Sequence, residues 1–300
     1  MKSESKAKSG YVSIVGRTNV GKSTLLNSLL GQKVSITSRK PQTTRHKLLG
    51  IKTYKEFQMI FIDTPGFHLD HKRALNNYMN KVASSAMKGV DVLIYVIDGL
   101  NWTEEDKQLM EQIPQDFTSS ILVINKIDKI KEKESLLPFI DELSKSYRFS
   151  EIVPLSALKK QNLDILLKII SSRLPKGSHI YPKDQIADTT ERFLASEIIR
   201  EKCITRVGDE LPYRITVSIE KYKEEKSITH IDATLYVEKK SQKGILIGEK
   251  GSRLKAIGTA ARIDLERNLE SKVMLKLWVK VKSGWSDNEA MLSTMGYDLG

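Results

Sequence analysis

The stretch GRTNVGKS, from Gly16 to Ser23, determines how the first half of this chain folds. A β-branched run that begins at Tyr11 precedes it, and an apolar pattern with helical spacing follows it. A glycine-rich loop between a strand and a helix directs backbone N–H groups toward a phosphate, and the helix N-terminus adds a favourable potential for the anion. The motif therefore predicts a phosphate-binding loop.

Short runs rich in β-branched residues alternate with helical patterns around this loop. Most of these runs are nearly continuous apolar stretches, typical of strands covered on both faces. One helix should start at Thr103, with acidic residues in its first turn, and another should be capped by Asn162 and run to Leu174. The alternation predicts an α/β domain with a mostly parallel sheet and helices on both faces. The predicted strands are Tyr11 to Gly16, Phe57 to Asp63, Asp91 to Asp98, Ile121 to Asp128 and Glu151 to Leu155.

Polar motifs stand at the carboxyl ends of several predicted strands. Asp63 opens the motif DTPG, Asn125 opens NKID, and Ser156 and Ala157 follow the last strand. Ligands of open α/β sheets bind outside the carboxyl ends of the strands. Packing alone does not require polar groups at these positions, so the pattern predicts one nucleotide site at this edge of the sheet.

The ordered motifs G-x-x-x-x-G-K-S, T-T-R, D-T-P-G, N-K-x-D and S-A-L resemble those of the translation-factor-related GTPases, over about Tyr11 to Leu174. The resemblance implies a P-loop GTPase domain that binds GTP and hydrolyses it to GDP. It also implies the following set of nucleotide-binding residues: Gly16, Arg17, Thr18, Asn19, Val20, Gly21, Lys22, Ser23, Thr24, Asp63, Thr64, Pro65, Gly66, Asn125, Lys126, Asp128, Ser156 and Ala157.

The resemblance also implies individual roles. Lys22 would reach the β- and γ-phosphates, and the N–H of Gly66 would contact the γ-phosphate. Asp128 would accept hydrogen bonds from N1 and the 2-amino group of guanine. Adenine lacks both donors, so a buried carboxylate left unpaired would favour GTP over ATP by orders of magnitude.

A magnesium site follows from the same resemblance. Ser23 and Thr44 would ligate Mg²⁺ directly, and Asp63 would hold it through a water molecule. Thr44 is preferred to Thr43 because it directly precedes Arg45, as in related proteins, but Thr43 stays open as the alternative.

Two residues bear on the rate of hydrolysis. Many small GTPases place a glutamine just after the glycine of the DTPG-type motif to orient the attacking water, and here that residue is Phe67. Intrinsic turnover should therefore be slow, and Phe67 should pack against the sheet. Relatives with asparagine at the position of Asn19 can bind K⁺ beside the phosphates. Asn19 with K⁺ would then act in catalysis together with Lys22, Thr44 and Gly66. The alternative is that Asn19 only forms hydrogen bonds with the backbone of the switch.

The segment LPKGSHIYPKD, from Leu174 to Asp184, separates the first pattern from a second one. We expect a basic N-terminal tail over residues 1–10, a GTPase domain over 11–174, a linker over 175–184, and a second domain with a C-terminal tail over 185–300. The elements expected in the second domain are a helix over Ala187 to Lys202, strands over Tyr213 to Lys223 and Ile228 to Glu238, a short helix, a helix over Ser252 to Leu269, and a strand over Lys272 to Lys282.

A second glycine loop, GEKG at Gly248 to Gly251, joins two of these helices. It lacks the Lys-Ser of a nucleotide loop, and in this element order it resembles the G-x-x-G loop of a prokaryotic-type KH domain. That loop clamps the backbone of single-stranded nucleic acid. The alternative is an ordinary glycine turn between helices. The residues implied in RNA binding are Ile247, Gly248, Glu249, Lys250, Gly251, Ser252 and Arg253.

The formal charge of +12 suggests an anionic partner, and its distribution limits where that partner binds. From Gln185 onward the chain has 20 Lys and Arg against 18 Asp and Glu, so the second half contributes only +2. Net charge does not mark the second domain as an RNA binder. The local cluster around the GEKG loop does: Lys239, Lys240, Lys243, Lys250, Arg253 and Lys255 oppose only Glu249.

The single cysteine, Cys203, excludes an internal disulfide, fits a reducing cytosol, and is expected to be a small buried residue. The start of the chain is hydrophilic, so we predict no signal peptide. The sequence contains no run of about 18 apolar residues, so we predict no membrane span. These features favour a cytoplasmic protein.

The two domains in this order resemble a family of bacterial GTPases that carry a KH domain. That resemblance implies binding near the 3′ end of small-subunit ribosomal RNA and a part in small-subunit maturation, in a cytoplasmic monomer that is in some members peripheral at the inner membrane. GTP would order two switch segments, one around Arg39 to Arg45 and one after Asp63, and the linker would pass this change to the KH domain. The alternative function is a GTPase that docks on membrane or protein partners and has no direct RNA role.

Overall fold

The computed structural model describes residues 7–38, 40, 43–67, 73–113, 117–207 and 214–297. The chain divides into two compact units. Of the described residues, the first unit contains those within 1–35, 44–70 and 79–188, and the second contains those within 36–43, 71–78 and 189–300. Two short segments inside the expected GTPase range thus group with the second unit. Within the described ranges, no helix combines the length and the hydropathy that a membrane span needs.

The first unit is built on a sheet whose six described strands lie in the order β2-β3-β1-β4-β5-β6. All neighbouring pairs are parallel except β2 and β3, which are antiparallel. The predicted α/β fold is confirmed. The strands are β1 (Lys8–Val15), β2 (Leu48–Thr53), β3 (Phe57–Asp63), β4 (Val92–Asp98), β5 (Ser120–Asn125) and β6 (Glu151–Pro154). The helices are α1 (Lys22–Leu30), α3 (Glu104–Met110), α4 (Leu136–Ser146), α5 (Leu163–Arg173) and α2 (Ala74–Ser85), whose residues 74–78 group with the second unit.

Apolar residues on both faces of the sheet explain why its strands are nearly continuous apolar runs. One face packs against α1 and α5 through residues such as Val12, Leu25 and Leu166. The other packs against residues of α3 and α4, which include Leu109 and Leu143. A sheet covered on both sides presents only its strand ends to ligands, which places the polar motifs at the carboxyl edge.

Three local expectations are tested by this unit. Thr103 caps α3 as predicted, in a reciprocal capping box with Asp106. Asn162 precedes α5, but it adopts a left-handed conformation and its amide donates to the Pro154 carbonyl at 2.9 Å, so the predicted side-chain cap is wrong. Strand β2 was not predicted, because Gly50 interrupts its short apolar run.

The second unit has the helix–strand–strand–helix–helix–strand order expected of a prokaryotic-type KH domain. Strand β8 lies between β7, its antiparallel neighbour, and β9, its parallel neighbour. The elements are α6 (Glu191–Arg206), β7 (Thr216–Glu225), β8 (Ile228–Val237), α7 (Lys240–Ile247), α8 (Ser252–Leu269), β9 (Lys272–Val281) and α9 (Glu289–Thr294). The start predicted for the first strand, Tyr213, lies outside the described residues.

One face of the three-stranded sheet packs against the helices. Side chains such as Ile231 and Val273 meet Ile198 of α6 and Ile257 of α8 in a single apolar core. Cys203 is fully buried in this core, as predicted, and burial raises the pKa of its thiol to about 12. The thiol is therefore protonated at neutral pH and is a packing group.

The C-terminal tail also packs within the second unit. Trp285 is fully buried and stacks on Tyr297 with 6.1 Å between ring centroids. The hydroxyl of Tyr297 lies 3.2 Å from Thr216 Oγ1. These contacts place both aromatic rings of the tail in the interior of the second unit.

Candidate functional site

The loop from Gly16 to Gly21 connects β1 to α1 in a conformation that requires glycine at both ends. Gly16 has φ 151° and Gly21 has φ 103°. A Cβ on Gly16 would lie 2.4 Å from the Val96 carbonyl oxygen, and one on Gly21 would lie 2.3 Å from Asn125 Nδ2. The loop therefore sits directly against the ends of β4 and β5, as a phosphate-binding loop at the carboxyl edge must.

Lys22 is the first residue of α1 and is 6% exposed. Its ammonium donates to the carbonyls of Gly16 and Arg17, both at 2.9 Å, so the side chain folds back across the loop. Burial lowers its pKa to about 8, although the nearby Asp63 carboxylate favours the charged form. A cation buried at this place favours an anion beside the loop.

Ser23, Thr44 and Asp63 converge next to Lys22. Ser23 Oγ lies 2.7 Å from Thr44 Oγ1 and donates to Asp63 Oδ2 at 2.8 Å. Asp63 is fully buried, and burial raises the pKa of its carboxyl above the usual range. Ser35 also donates to Asp63 Oδ2, at 2.9 Å, although no sequence motif marks this residue. No described residue donates to Asp63 Oδ1.

These groups fit a magnesium ion. Mg²⁺ prefers hard oxygen ligands and keeps several waters, and P-loop enzymes hold it by a loop hydroxyl and an acid at a strand end. Ser23 and Asp63 supply that pair, and the unbonded Oδ1 of Asp63 is a buried acceptor that needs a donor. Thr44 completes the oxygen set. Thr43 does not join it, because its hydroxyl donates to the Lys40 carbonyl at 2.6 Å.

The DTPG motif lies beside the phosphate-binding loop. Thr64 Oγ1 donates to the Ile14 carbonyl at 2.9 Å and fixes the motif to β1. A Cβ on Gly66 would lie 2.8 Å from Thr18 Cα, so only glycine allows the two loops this close. Pro65 is buried. Phe67 is 7% exposed and packs with apolar residues of the sheet, as predicted.

Asn125, at the end of β5, joins three loops through its side-chain amide. Its Nδ2 donates to the Val20 carbonyl at 2.8 Å. Its Oδ1 accepts from the N–H of Lys126 at 2.8 Å and from the N–H of Ala157 at 3.0 Å. The strand-end motifs NKID and S-A-L are thereby held in register with the phosphate-binding loop.

The two charged residues of NKID, Lys126 and Asp128, follow Asn125 after the end of β5. Lys126 has φ 63° and donates to the Asn19 carbonyl at 2.7 Å and to Asp98 Oδ2 at 2.6 Å. Asp128 lies in a short 3₁₀ turn after β5, not in the strand as predicted, and Ser156 Oγ donates to its Oδ1 at 2.5 Å. Asp128 is exposed. The assumption that its carboxylate is buried by protein was wrong.

Asn19 and Thr24 complete the predicted loop residues. Asn19 adopts a left-handed conformation with φ 62°, which asparagine tolerates better than most residues. Thr24 is half-buried on α1.

Sequence reasoning missed the anchor of Arg17. Its Nε donates to Asp106 Oδ2 at 3.0 Å, and Asp106 also caps α3. The acidic first turn after Thr103 was recognised only as a helix start, because nothing in the sequence places it near Gly16.

The GEKG loop between α7 and α8 is open to solvent. Gly248 has φ 72°, Lys250 has φ 47° and Gly251 has φ 82°. Glu249, Lys250 and Ser252 are exposed, and Ile247, Gly251 and Arg253 are half-buried. Arg253 donates to the Ile245 carbonyl and braces the loop. The loop is therefore not occluded by packed protein.

A groove of about 430 Å³ runs beside this loop. Its lining combines three lysine, arginine and threonine side chains of α8 with two leucines of the edge strand β9. The lining residues are Gly251, Leu254, Lys255, Gly258, Thr259, Arg262, Leu275 and Leu277. A basic apolar groove beside a glycine loop matches the expected KH site.

Comparisons with known proteins agree with both halves of the molecule. The family described as 50S ribosome-binding GTPase matches residues 11–126, and the KH domain family matches residues 210–286. GTPase Era of Ectopseudomonas mendocina (strain ymp) is 54% identical over 288 residues, which are 96% of this chain and 96% of the relative. GTPase Era of Azotobacter vinelandii is 52% identical over 297 residues, 99% of each.

Solved structures show the same likeness. A crystal structure of a point variant of Aquifex aeolicus Era bound to GDP and AlF₄⁻ has a TM-score of 0.94 and 42% identity, and covers 97% of this chain and 100% of that chain. A crystal structure of Era in complex with MgGDPNP and nucleotides 1506–1542 of 16S ribosomal RNA has a TM-score of 0.93 and 42% identity, and covers 98% of this chain and 100% of that chain. Sequence, fold and strand-end motifs thus agree, and this chain belongs to the Era family of GTPases.

Proposed function

We propose that this GTPase binds GTP at the carboxyl edge of the first sheet and small-subunit ribosomal RNA at the GEKG loop. The convergence of Lys22, Ser23, Thr44 and Asp63 supports the first part. The loop from Gly16 to Gly21 surrounds the phosphates, and Lys22 turns from its carbonyl partners toward the β- and γ-oxygens. The Gly66 N–H meets the γ-phosphate.

Magnesium, when bound, neutralises charge that develops on the transferred phosphoryl group. Ser23 and Thr44 would hold it by their hydroxyls, and Asp63 through a water. The Ser23–Asp63 and Ser23–Thr44 contacts keep these oxygens together. Ser35 donates to the same oxygen, Asp63 Oδ2, and helps to orient the carboxylate.

Guanine selectivity is assigned to Asp128, steadied by Ser156. Because Asp128 is exposed, the penalty for a wrong base cannot come from burial by protein alone. A bound base would itself cover the carboxylate, and adenine would then leave it without donors. Lys126 and Ala157 complete the walls of the base site.

The site lacks a water-orienting glutamine, because the residue that follows Gly66 is Phe67, which is buried in the core. Turnover by the protein alone should be slow. Asn19 stands in a left-handed turn of the loop and could place its side-chain oxygen on K⁺ next to the phosphates, adding positive charge there.

The exposed GEKG loop beside a basic groove is the observation that carries the RNA proposal. A relative of the same fold, Era, has been crystallised with nucleotides 1506–1542 of 16S ribosomal RNA. By analogy with it, residues Ile247 to Arg253 would clamp the same region of RNA in this chain. We further propose a part in small-subunit maturation and a cytoplasmic, monomeric state, because the resemblance to the family implies them.

Coupling between nucleotide and RNA has a concrete route in the switch segment. Residues 36–43 group with the second unit, where the Thr37 N–H donates to Glu201 Oε1 at 2.9 Å and Arg200 donates to the Thr43 carbonyl. Thr44, the next residue, bonds Ser23 in the first unit. A ligand that moves Thr44 would thus pull on a segment anchored to α6. This route replaces the linker as our proposed connection.

The rival function is a GTPase that docks on anionic membrane or protein partners, and the overall basic charge is its support. Charge alone does not distinguish lipid from RNA. The GEKG loop and groove favour RNA, because a lipid surface needs neither.

Replacement of Thr44 by alanine should lower GTP turnover on the order of 10- to 100-fold, as losses around a metal do, and should raise the Mg²⁺ concentration needed. Thr43→Ala is the matched control and should stay close to wild type, since its hydroxyl bonds Lys40. Turnover measured against Mg²⁺ concentration decides the case. Equal losses in the two variants would contradict the assignment.

Asp128→Asn should weaken GTP binding on the order of tenfold or more and shift preference toward xanthosine triphosphate, because an amide N–H can meet the added carbonyl. The exposed Asp164→Asn variant is a matched control in the same unit. Competition binding between the two nucleotides gives the ratio. An unchanged GTP preference would remove Asp128 from base recognition.

GTP turnover should be faster in KCl than in NaCl at equal ionic strength. Asn19→Gly should abolish the difference, because glycine tolerates φ 62° and removes only the side chain. Equal rates in the two salts would rule out K⁺ activation.

Gly248→Asp combined with Gly251→Asp should abolish binding to an RNA with the 3′ end of small-subunit ribosomal RNA, because two carboxylates would face phosphates. Lys250→Glu tests the same loop at an exposed side chain, and Lys168→Glu on α5 is the control. Filter binding in GTP-analogue and GDP states measures affinity and coupling together. RNA affinity that survives the loop variants would favour the docking function instead.

A further inference from the structure

We infer that the RNA-binding surface continues from the groove, around the edge strand β9, onto the outer face of the three-stranded sheet, where Trp278 stacks on a nucleotide base. This inference rests on the proposed RNA binding by the GEKG loop and extends its footprint. The ligand is a single strand that leaves the groove and crosses the strand edge.

Alternation along β9 divides its side chains between two surfaces. Val273 and Val279 are buried in the core, and Leu275 and Leu277 line the groove beside the GEKG loop. The residues between them point to the opposite face. They are exposed without exception: Lys272, Met274, Lys276, Trp278 and Lys280.

The edge position of β9 makes the two surfaces continuous. Among the described strands, β9 pairs only with β8. A strand of RNA that lies against Leu275 and Leu277 therefore needs to pass only one backbone before it reaches Met274 and Trp278. Successive side chains on that face are about 6.6 Å apart, within the reach of neighbouring nucleotides.

Positive charge is concentrated on this edge strand. The sequence of β9, KVMLKLWVKV, has three lysines and no acid, and Lys282 follows it. The acids of the outer face lie on the other two strands: Asp232 of β8 is opposite Lys276, Glu220 of β7 interacts with Tyr236, and Glu225 of β7 pairs with Lys223. The edge thus complements a phosphate backbone better than the rest of the sheet does.

Trp278 is 45% exposed and shares this face of β9 with Met274, which is 44% exposed. Lysines at both i−2 and i+2 flank Trp278. Aromatic side chains between cationic ones are the arrangement that proteins use to bind single strands, since bases stack while phosphates are neutralised. A lipid surface is a poorer match, because the lysines interrupt every apolar contact along the strand.

The test compares two labelled single-stranded RNAs of unstructured, A-rich sequence. One has about 4 nucleotides, the length that a KH loop clamps, and the other about 16, the upper size of a single-strand site. Trp278→Ala should weaken binding of the longer RNA roughly five- to hundredfold and leave the affinity for the shorter RNA unchanged. Trp278→Phe should restore affinity, because the aromatic ring remains.

Two further variants guard against indirect effects. Lys276→Gln, on the same face, should weaken binding of the longer RNA and reduce the salt dependence of that binding. Lys276 is exposed, so its replacement should not change the packing of the sheet. Tyr54→Ala, which removes a 37% exposed aromatic from the first unit, should change neither affinity.

The outcomes separate this inference from the proposed function. The double glycine variant could abolish binding of both RNAs while Trp278→Ala and Lys276→Gln leave both affinities unchanged. In that case the GEKG loop binds RNA and the extension is wrong. If the double glycine variant changes neither RNA, the proposed RNA function fails and the extension with it. Binding to vesicles of equal parts phosphatidylcholine and phosphatidylglycerol that Trp278→Ala removes, with RNA unaffected, would overturn the inference in favour of lipid.

Discussion

The side chain of Asn125 is the interaction on which the nucleotide site depends. One buried amide bonds the Val20 carbonyl, the Lys126 N–H and the Ala157 N–H, so three loops from separate parts of the chain share a single anchor. An unpaired buried polar group costs about 1–3 kcal/mol, and loss of this amide would leave three of them. No aliphatic side chain of similar size could replace it, because the loops need both a donor and an acceptor.

Around that anchor, the site is assembled largely from buried polar groups that meet at the carboxyl edge of the sheet. Lys22 and Asp63 are both buried and are side chains of opposite charge. Burial lowers the pKa of Lys22 and raises the pKa of Asp63, so that it favours the neutral form of each. Arg17 donates to the buried Asp106 and ties the phosphate-binding loop to the start of α3. The geometry that a phosphoryl group and a cation need is thus partly built before either binds, which is how preorganised electrostatic sites work.

The second unit solves a different problem with a similar element. A glycine loop again precedes a helix, but it is exposed, has no buried lysine and opens onto a long groove. A compact nucleotide is held by convergence of loops, whereas a polynucleotide requires a surface along which it can lie. The alternation of β9 provides such a surface on two sides, because each strand residue faces away from its neighbour.

The sequence by itself determined the α/β and KH element orders and the identity of the strand-end motifs, since these depend on local periodicity and on residue types that chemistry requires. It also identified Thr103 as a cap and Cys203 as a core residue. Only the tertiary structure decided that Thr44 and not Thr43 faces Ser23, that Asp128 is exposed, that Ser35 and Asp106 support the site, and that residues 36–43 group with the second unit. These facts depend on contacts between residues distant in the chain, and periodicity carries no information about which distant groups meet.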